Sequence, residues 1–165
     1  MVSQSEGLLW VFYNSPFCCS ITSEGAQFLS LSFQHPGLVG PISFSAVHTV
    51  STREERKALW AGLLQCKPSH GPWLVCGDFN AIVGEEEKKG GRPVTVAEVA
   101  DFVAFMSSAG LVDGGFSGSR FIWCNNRRGQ ARIWKRLDRL LLNVGCFDVG
   151  LSIVVAHLGC RPSDH

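Results

Sequence analysis

The first 52 residues contain no lysine or arginine, and their only acids are Glu6 and Glu24. All 15 basic residues of the 165-residue chain lie at position 53 or later. A stretch with so little charge is poorly suited to facing water, so it reads as buried sheet. The rest of the chain must then carry the solvated and chemical surface. Hydrophobic residues make up 45% and charged residues 18% of the chain, which excludes disorder. The length suits one domain. No uncharged apolar run approaches the roughly 20 residues of a membrane span. No basic residue precedes Arg53 to form the cationic start of a secretory signal. The expectation is an intracellular protein of nucleus or cytoplasm, with no membrane partner.

Seven cysteines are present, at 18, 19, 66, 76, 124, 146 and 160, and no two have the CxxC spacing of a zinc or redox pair. They read as reduced thiols used as small apolar residues. The net charge of +1 does not by itself announce a nucleic-acid binder.

Along the chain, short apolar runs are separated by turn signals. Strands are expected at 8–13, 17–22, 26–33, 42–49, 73–76, 121–124, 133–143 and 151–157. Thr52-Arg53-Glu54-Glu55 and Thr95-Val96-Ala97-Glu98 have the form of capping boxes. The first predicts a helix over about 53–65 with Leu59 and Leu63 on one face. The second predicts a helix with Val99, Phe102, Val103 and Met106 inward, ending near Gly110. Between them, Gly84–Pro93 reads as a charged glycine-rich loop. Strands alternating with a few helices indicate a mixed α and β class with one core.

Four places can carry chemistry. Trp73–Cys76 runs directly into Gly77-Asp78-Phe79-Asn80. On extended backbone Asp78 and Asn80 point to one side and Phe79 to the other. Such a pair can hold a metal-bound water and a phosphate oxygen, or Asp78 can simply accept a hydrogen bond within the turn. Asp138 interrupts an apolar strand, where a carboxylate is costly unless paired; Arg136 and Arg139 are the nearby ion-pair alternative. Asp164-His165 is either a general base with its orienting carboxylate or a plain chain end. Finally, Arg120, Arg127, Arg128, Arg132, Lys135, Arg136 and Arg139 crowd into twenty residues with Trp123 and Trp134 among them. This patch suits phosphate contacts, with Asn125, Arg127 and Arg128 in the loop of its hairpin, or it is a solvated hairpin with two core tryptophans. His35, His70 and His157 have no metal-ligand spacing.

In order, the segments WLVCGDFNAIVGEEEKKGGRP, AEVADFVAFMSSAGLVD, FSGSRFIWCNNRRGQARIWKRLDRLLLN and HLGCRPSDH resemble the endonuclease/exonuclease/phosphatase family, and within it the abasic-endonuclease-like domain of plant non-LTR retrotransposons. The resemblance covers nearly the whole chain and rests on three ordered motifs, GDFN, RLDR and SDH. It implies an α+β fold, a partial four-layer α/β/β/α sandwich whose active site lies at strand ends. It implies a phosphodiester hydrolase, a DNA endonuclease using magnesium or manganese, with DNA as partner and a reverse transcriptase domain in the full-length element. By motif, Asp78 and Asn80 would activate water and stabilise the transition state. Asp138 would lie near the phosphate and metal shell or orient His165, Asp164 would support His165 or the metal, and His165 would contact the scissile phosphate as a base or an electrostatic stabiliser. His48 stands where the family has a phosphate-contacting tyrosine, and Asn125, Arg127, Arg128 and Arg132 would meet the strand.

The family's early Asn and metal-ligating Glu have no match in the sequence, so the resemblance implies a single incomplete domain over 1–165, lacking the N-terminal strands and the last strand. It also implies weak metal binding and weak or absent activity. A non-catalytic nucleic-acid-binding remnant and a phosphatase of the same family are the alternatives.

Overall fold

The structure is a computed structural model that describes residues 1–157 except Glu6, Ser51 and Leu151. In chain order the elements are β1 (Val2–Ser3), β2 (Trp10–Val11), β3 (Cys18–Gly25), β4 (Phe28–Gln34), β5 (Ile42–His48), α1 (Arg53–Gln65), β6 (Trp73–Asp78), β7 (Lys88–Lys89), α2 (Val96–Ala109) and β8 (Leu111–Asp113). There follow β9 (Ser117–Gly118), β10 (Trp123–Cys124), β11 (Trp134–Lys135), β12 (Asp138–Asn143), α3 (Gly145–Asp148) and β13 (Ala156–His157).

A six-stranded sheet in the order β3-β4-β5-β6-β12-β8 organises the molecule. Its one parallel pair, β5 with β6, is joined by α1, as a parallel crossover requires. The other neighbours are antiparallel. Alternation along β6 divides its side chains between two faces. Trp73 and Val75 are fully buried with Leu59, Trp60 and Leu63 of α1 and Phe102, Phe105 and Ala109 of α2. Leu74 and Cys76 join Leu140, Leu142, Cys146, Ile153 and Val155 in a smaller cluster. Both helices therefore pack on the same side as Trp73. Ser45, buried in that core, is hydrogen-bonded to Ser30 (2.8 Å) and to the Trp73 indole N–H (3.1 Å).

The helix ends follow the sequence closely, although their caps differ. Helix α1 spans the expected residues, but the Thr52 hydroxyl donates to the Glu55 carboxylate instead of capping a backbone N–H. At α2 Glu98 reaches back to the Thr95 N–H (2.8 Å), and Gly110 ends the helix with φ 69°. Its buried stripe is Phe102, Phe105 and Ala109, whereas Val103 is 44% exposed. The aromatic rings carry more apolar area than the valines and win the inward positions.

Several strand expectations are corrected. The segment 8–13 is paired only at β2, and Leu8, Trp10 and Phe12 are more than half exposed. The early chain is thus not uniformly buried: β4 and part of β5 are core, while β3 is an edge strand with most side chains outward. The expected strand 133–143 divides into β11 and β12, and among the described residues of 151–157 only β13 is paired.

The break at Arg136-Leu137 has a cause. Arg136 and Arg139, both buried, turn away from Asp138 and bind Glu87 at 2.9 and 2.8 Å and Asp113 at 2.8 and 3.3 Å. Arg139 also donates to the Ala81 carbonyl (2.9 Å). Arg139 lies over Phe102 and Arg136 over Phe116. Burial pushes the Asp113 carboxyl up, but hydrogen bonds from Arg136 and Gly115 and the two guanidinium charges bring it below its ordinary value. Glu87 comes from the segment expected to be a charged glycine-rich loop. That loop instead forms a short 3₁₀ turn at Glu85–Glu87 and then β7, which pairs with β11.

Candidate active site

Strands β5, β6 and β12 end together. In their registers His48 is opposite Asp78, and Asp78 is opposite Asp138. Three residues far apart in sequence therefore stand side by side in one row across the sheet. Backbone bonds hold the row at both edges: Thr49 N–H donates to the Asp78 carbonyl and Phe79 N–H to the Leu137 carbonyl, each at 3.0 Å. The close approach of β6 to β5 needs Gly77. Its φ is 138°, and a Cβ there would run into the Val47 carbonyl.

After Asp78 the strand ends sharply. Asn80 N–H donates to Asp78 Oδ1 (2.8 Å), and Asn80 takes φ 43°, a conformation that asparagine tolerates better than most residues. Asp78 accepts the turn hydrogen bond through Oδ1, as the sequence allowed, and stands in the row. Asn80 is not on extended backbone, contrary to expectation. Phe79 points into the core, fully buried, with ring centroids 5.2 Å from Phe102 and 6.2 Å from Trp60.

The electrostatics single out Asp138. It keeps an exposed face, yet the protein packed around its carboxyl pushes its pKa up, and the Asp78 carboxylate adds to the rise. His157 and His48 act in the opposite sense. His157 was unremarkable in sequence. In the fold, β13 pairs parallel with β9, His157 Nδ1 donates to the Ser119 carbonyl (2.8 Å), and the ring stacks on Phe116 at 4.3 Å. Its Nε2 is buried without a partner among the described residues. No spacing rule could have found it, because only the β9–β13 pairing brings it toward Asp138.

The basic hairpin is β10 and β11, with its loop over 125–133. Asn125 holds this loop from within: its amide donates to the Ala131 carbonyl (3.0 Å) and accepts from Arg127 and Ile133 N–H. Arg127 and Arg128 are exposed, while Arg132 lies over Trp134 and donates to the Arg127 carbonyl. Two residues separate β11 from Asp138, so the hairpin is anchored beside the acid row. Asp164 and His165 lie outside the described residues.

Among the described residues, no group of three or more His, Cys, Asp or Glu is arranged to hold a metal ion. The carboxylates that face one another here are Asp78 and Asp138. A like-charged pair suits magnesium, which uses one or two carboxylates and otherwise relies on water and substrate phosphates.

The model of the endonuclease/exonuclease/phosphatase family matches residues 7–165. The chain belongs to the endonuclease/exonuclease/phosphatase family. Among solved structures it resembles the endonuclease domain of TRAS1, a telomere-specific non-LTR retrotransposon. That match has 12% identity and a TM-score of 0.64, and covers 82% of this chain and 60% of the other. It also resembles the 3′ phosphatase NExo from Neisseria, solved with a product DNA hairpin. Here the identity is 14% and the TM-score 0.50, over 79% of this chain and 58% of the other. These likenesses show a shared endonuclease/exonuclease/phosphatase fold. The chain spans about 60% of the length of each of these two relatives. No curated protein matches it. No helix among the described residues is long and apolar enough to cross a membrane.

Proposed function

We propose that this family member is a phosphodiester hydrolase acting on DNA, an endonuclease domain of non-LTR retrotransposon origin that requires a divalent metal. The observation that carries the reading is the row His48–Asp78–Asp138 at three strand ends, with Asn80 turned beside it by the Asp78 hydrogen bond. In the reaction, water adds to phosphorus, one P–O ester bond breaks, and the leaving oxygen takes up a proton. Asp78 and Asn80 orient the water and a phosphoryl oxygen, and His48 contacts the phosphate. Asp138 stands across from Asp78, where its proton affinity is raised. By the motif resemblance alone, Asp164 and His165 would act with this row, His165 on the scissile phosphate and Asp164 in support of it or of the metal. Arg127, Arg128 and Arg132 meet the strand, with Asn125 shaping their loop.

Asp78 and Asp138, with Asp164 by motif, would hold magnesium, which would supply electrostatic stabilisation of charge on the phosphoryl oxygens. Such a site would hold the metal weakly, and turnover would be slow or absent. Glu87 and Asp113 are committed to Arg136 and Arg139 and cannot serve.

A supercoiled-plasmid nicking assay tests the proposal. Nicking that needs magnesium or manganese, and that is lost in Asp78→Asn and His165→Ala, is the expected result. Salt-sensitive DNA binding with no nicking at any metal concentration would leave a non-catalytic binding remnant instead. Release of phosphate from a small phosphomonoester, without nicking, would indicate a phosphatase.

A further inference from the structure

Next to the acid row lies a pocket of about 200 Å³ whose wall includes Asn80. Its charged lining comes from four separate elements: Arg53 and Arg56 from the first turn of α1, Lys88 from β7, Lys135 from β11 and Glu98 from the first turn of α2. Four cations thus face one carboxylate. That carboxylate is already engaged, accepting from the Thr95 N–H at 2.8 Å and from Arg92 at 2.9 Å. Arg53 is braced by Asp101 (2.5 Å), which does not itself line the pocket. Lys88 is aimed by a bond to the Arg92 carbonyl (2.6 Å), and the Lys135 ammonium lies 5.9 Å from the Trp123 ring centroid.

We infer that this pocket is a second phosphate site, which seats a backbone phosphate of the DNA strand next to the one held at Asp78. The inference rests on the phosphodiester reading above and adds a place for the strand to one side of the reacting bond.

Charge and size both favour this occupant. Gathering like charges around a small concavity raises the free energy of the empty protein, and an anion offsets it. Half-burial lowers the Lys135 pKa, as do the charges of Lys88, Arg56 and Arg92, while Glu98 acts in the opposite sense; these groups are close enough to feel one another. The pocket is a concavity of about 200 Å³, large enough for several water-sized groups. A phosphate is of the size and charge that this lining suits. Asn80 belongs both to the pocket wall and to the turn that follows Asp78, so an anion seated here neighbours the reacting one.

The test is a binding experiment without divalent metal, so that cleavage plays no part. A labelled single-stranded oligodeoxynucleotide is titrated by fluorescence anisotropy between about 50 and 200 mM NaCl. The double substitution Lys88→Gln/Lys135→Gln should reduce the slope of log Kd against log salt by about 0.7 for each phosphate that is no longer neutralised. Lys89→Gln removes a charge of the same kind from the neighbouring exposed residue, which does not line the pocket, and should leave the slope unchanged. A double variant with the wild-type slope, or a Lys89→Gln slope that falls as far as the double variant's, overturns the inference.

Lysine footprinting of the unaltered chain gives an answer independent of how the variants fold. Bound oligonucleotide should protect Lys88 and Lys135 from acylation and leave Lys89 reactive; equal protection of all three overturns the site. The two proposals fail separately. Absent nicking with a pocket-dependent slope removes the hydrolase and keeps the pocket. Nicking with a slope indifferent to Lys88 and Lys135 does the reverse.

Discussion

Asp78 and Asp138 stand opposite one another across the antiparallel β6–β12 pair, carboxylate beside carboxylate at the end of the central sheet. Like charges directly opposite in a ladder are destabilising. Packing around Asp138 and the Asp78 charge together raise the Asp138 pKa.

The sign of the pH effect follows. An acid whose pKa is higher in the folded than in the unfolded state binds its proton more tightly when folded. Ionising it therefore reduces stability as pH rises from about 4, the unfolded value, through the folded value. Asp138→Asn should raise the melting temperature at neutral pH by about 2 °C. The gain should vanish below about pH 4, where the wild-type carboxyl is protonated in both states. Thermal melts of both proteins across this range check it.

His157 favours ionised Asp138. His157→Ala should therefore move the Asp138 pKa further up, as read from its carboxyl carbon by NMR titration. His35→Ala, at the turn after β4, should leave it in place.

Asn80 separates backbone from chemistry. With φ at 43°, Asn80→Gly should keep stability near wild type, whereas Asn80→Ala should cost about 1 kcal/mol. Both remove the amide and should lower nicking about 100-fold or more. Denaturant titration together with the nicking rate distinguishes the two effects.

Glu87 compensates two buried guanidinium groups. Glu87→Ala leaves Arg139 and Arg136 short of charge in the interior and should cost about 3–5 kcal/mol by chemical denaturation. The exposed neighbour Glu85→Ala should change stability by less than about 0.5 kcal/mol.

The two helices and the strand leading into Asp78 were legible because their signals are local: capping residues, an αL glycine, an apolar run ending in Gly-Asp. Asp78, Asn80 and Asp138 could be named from motif order. Their side-by-side placement could not, since the register of strands sixty residues apart is set by packing of the whole sheet. The 84–93 segment misled for a related reason. Its glycines and charges read as a loop, and only the buried Arg136 and Arg139 reveal why Glu87 is inside. The exposed rings of 8–13 show the converse. An apolar run predicts burial only where another layer is present to cover it.

Phe79 sits between the two polar residues of the GDFN turn and is wholly enclosed by Trp60 and Phe102. The orientation of Asp78 and Asn80 is thereby tied to how two helices fit against one ring. A change as remote as Phe102→Leu, touching neither Asp78 nor Asn80, would tilt that ring and misalign both groups, so the geometry of this polar turn is governed from the oiliest interior.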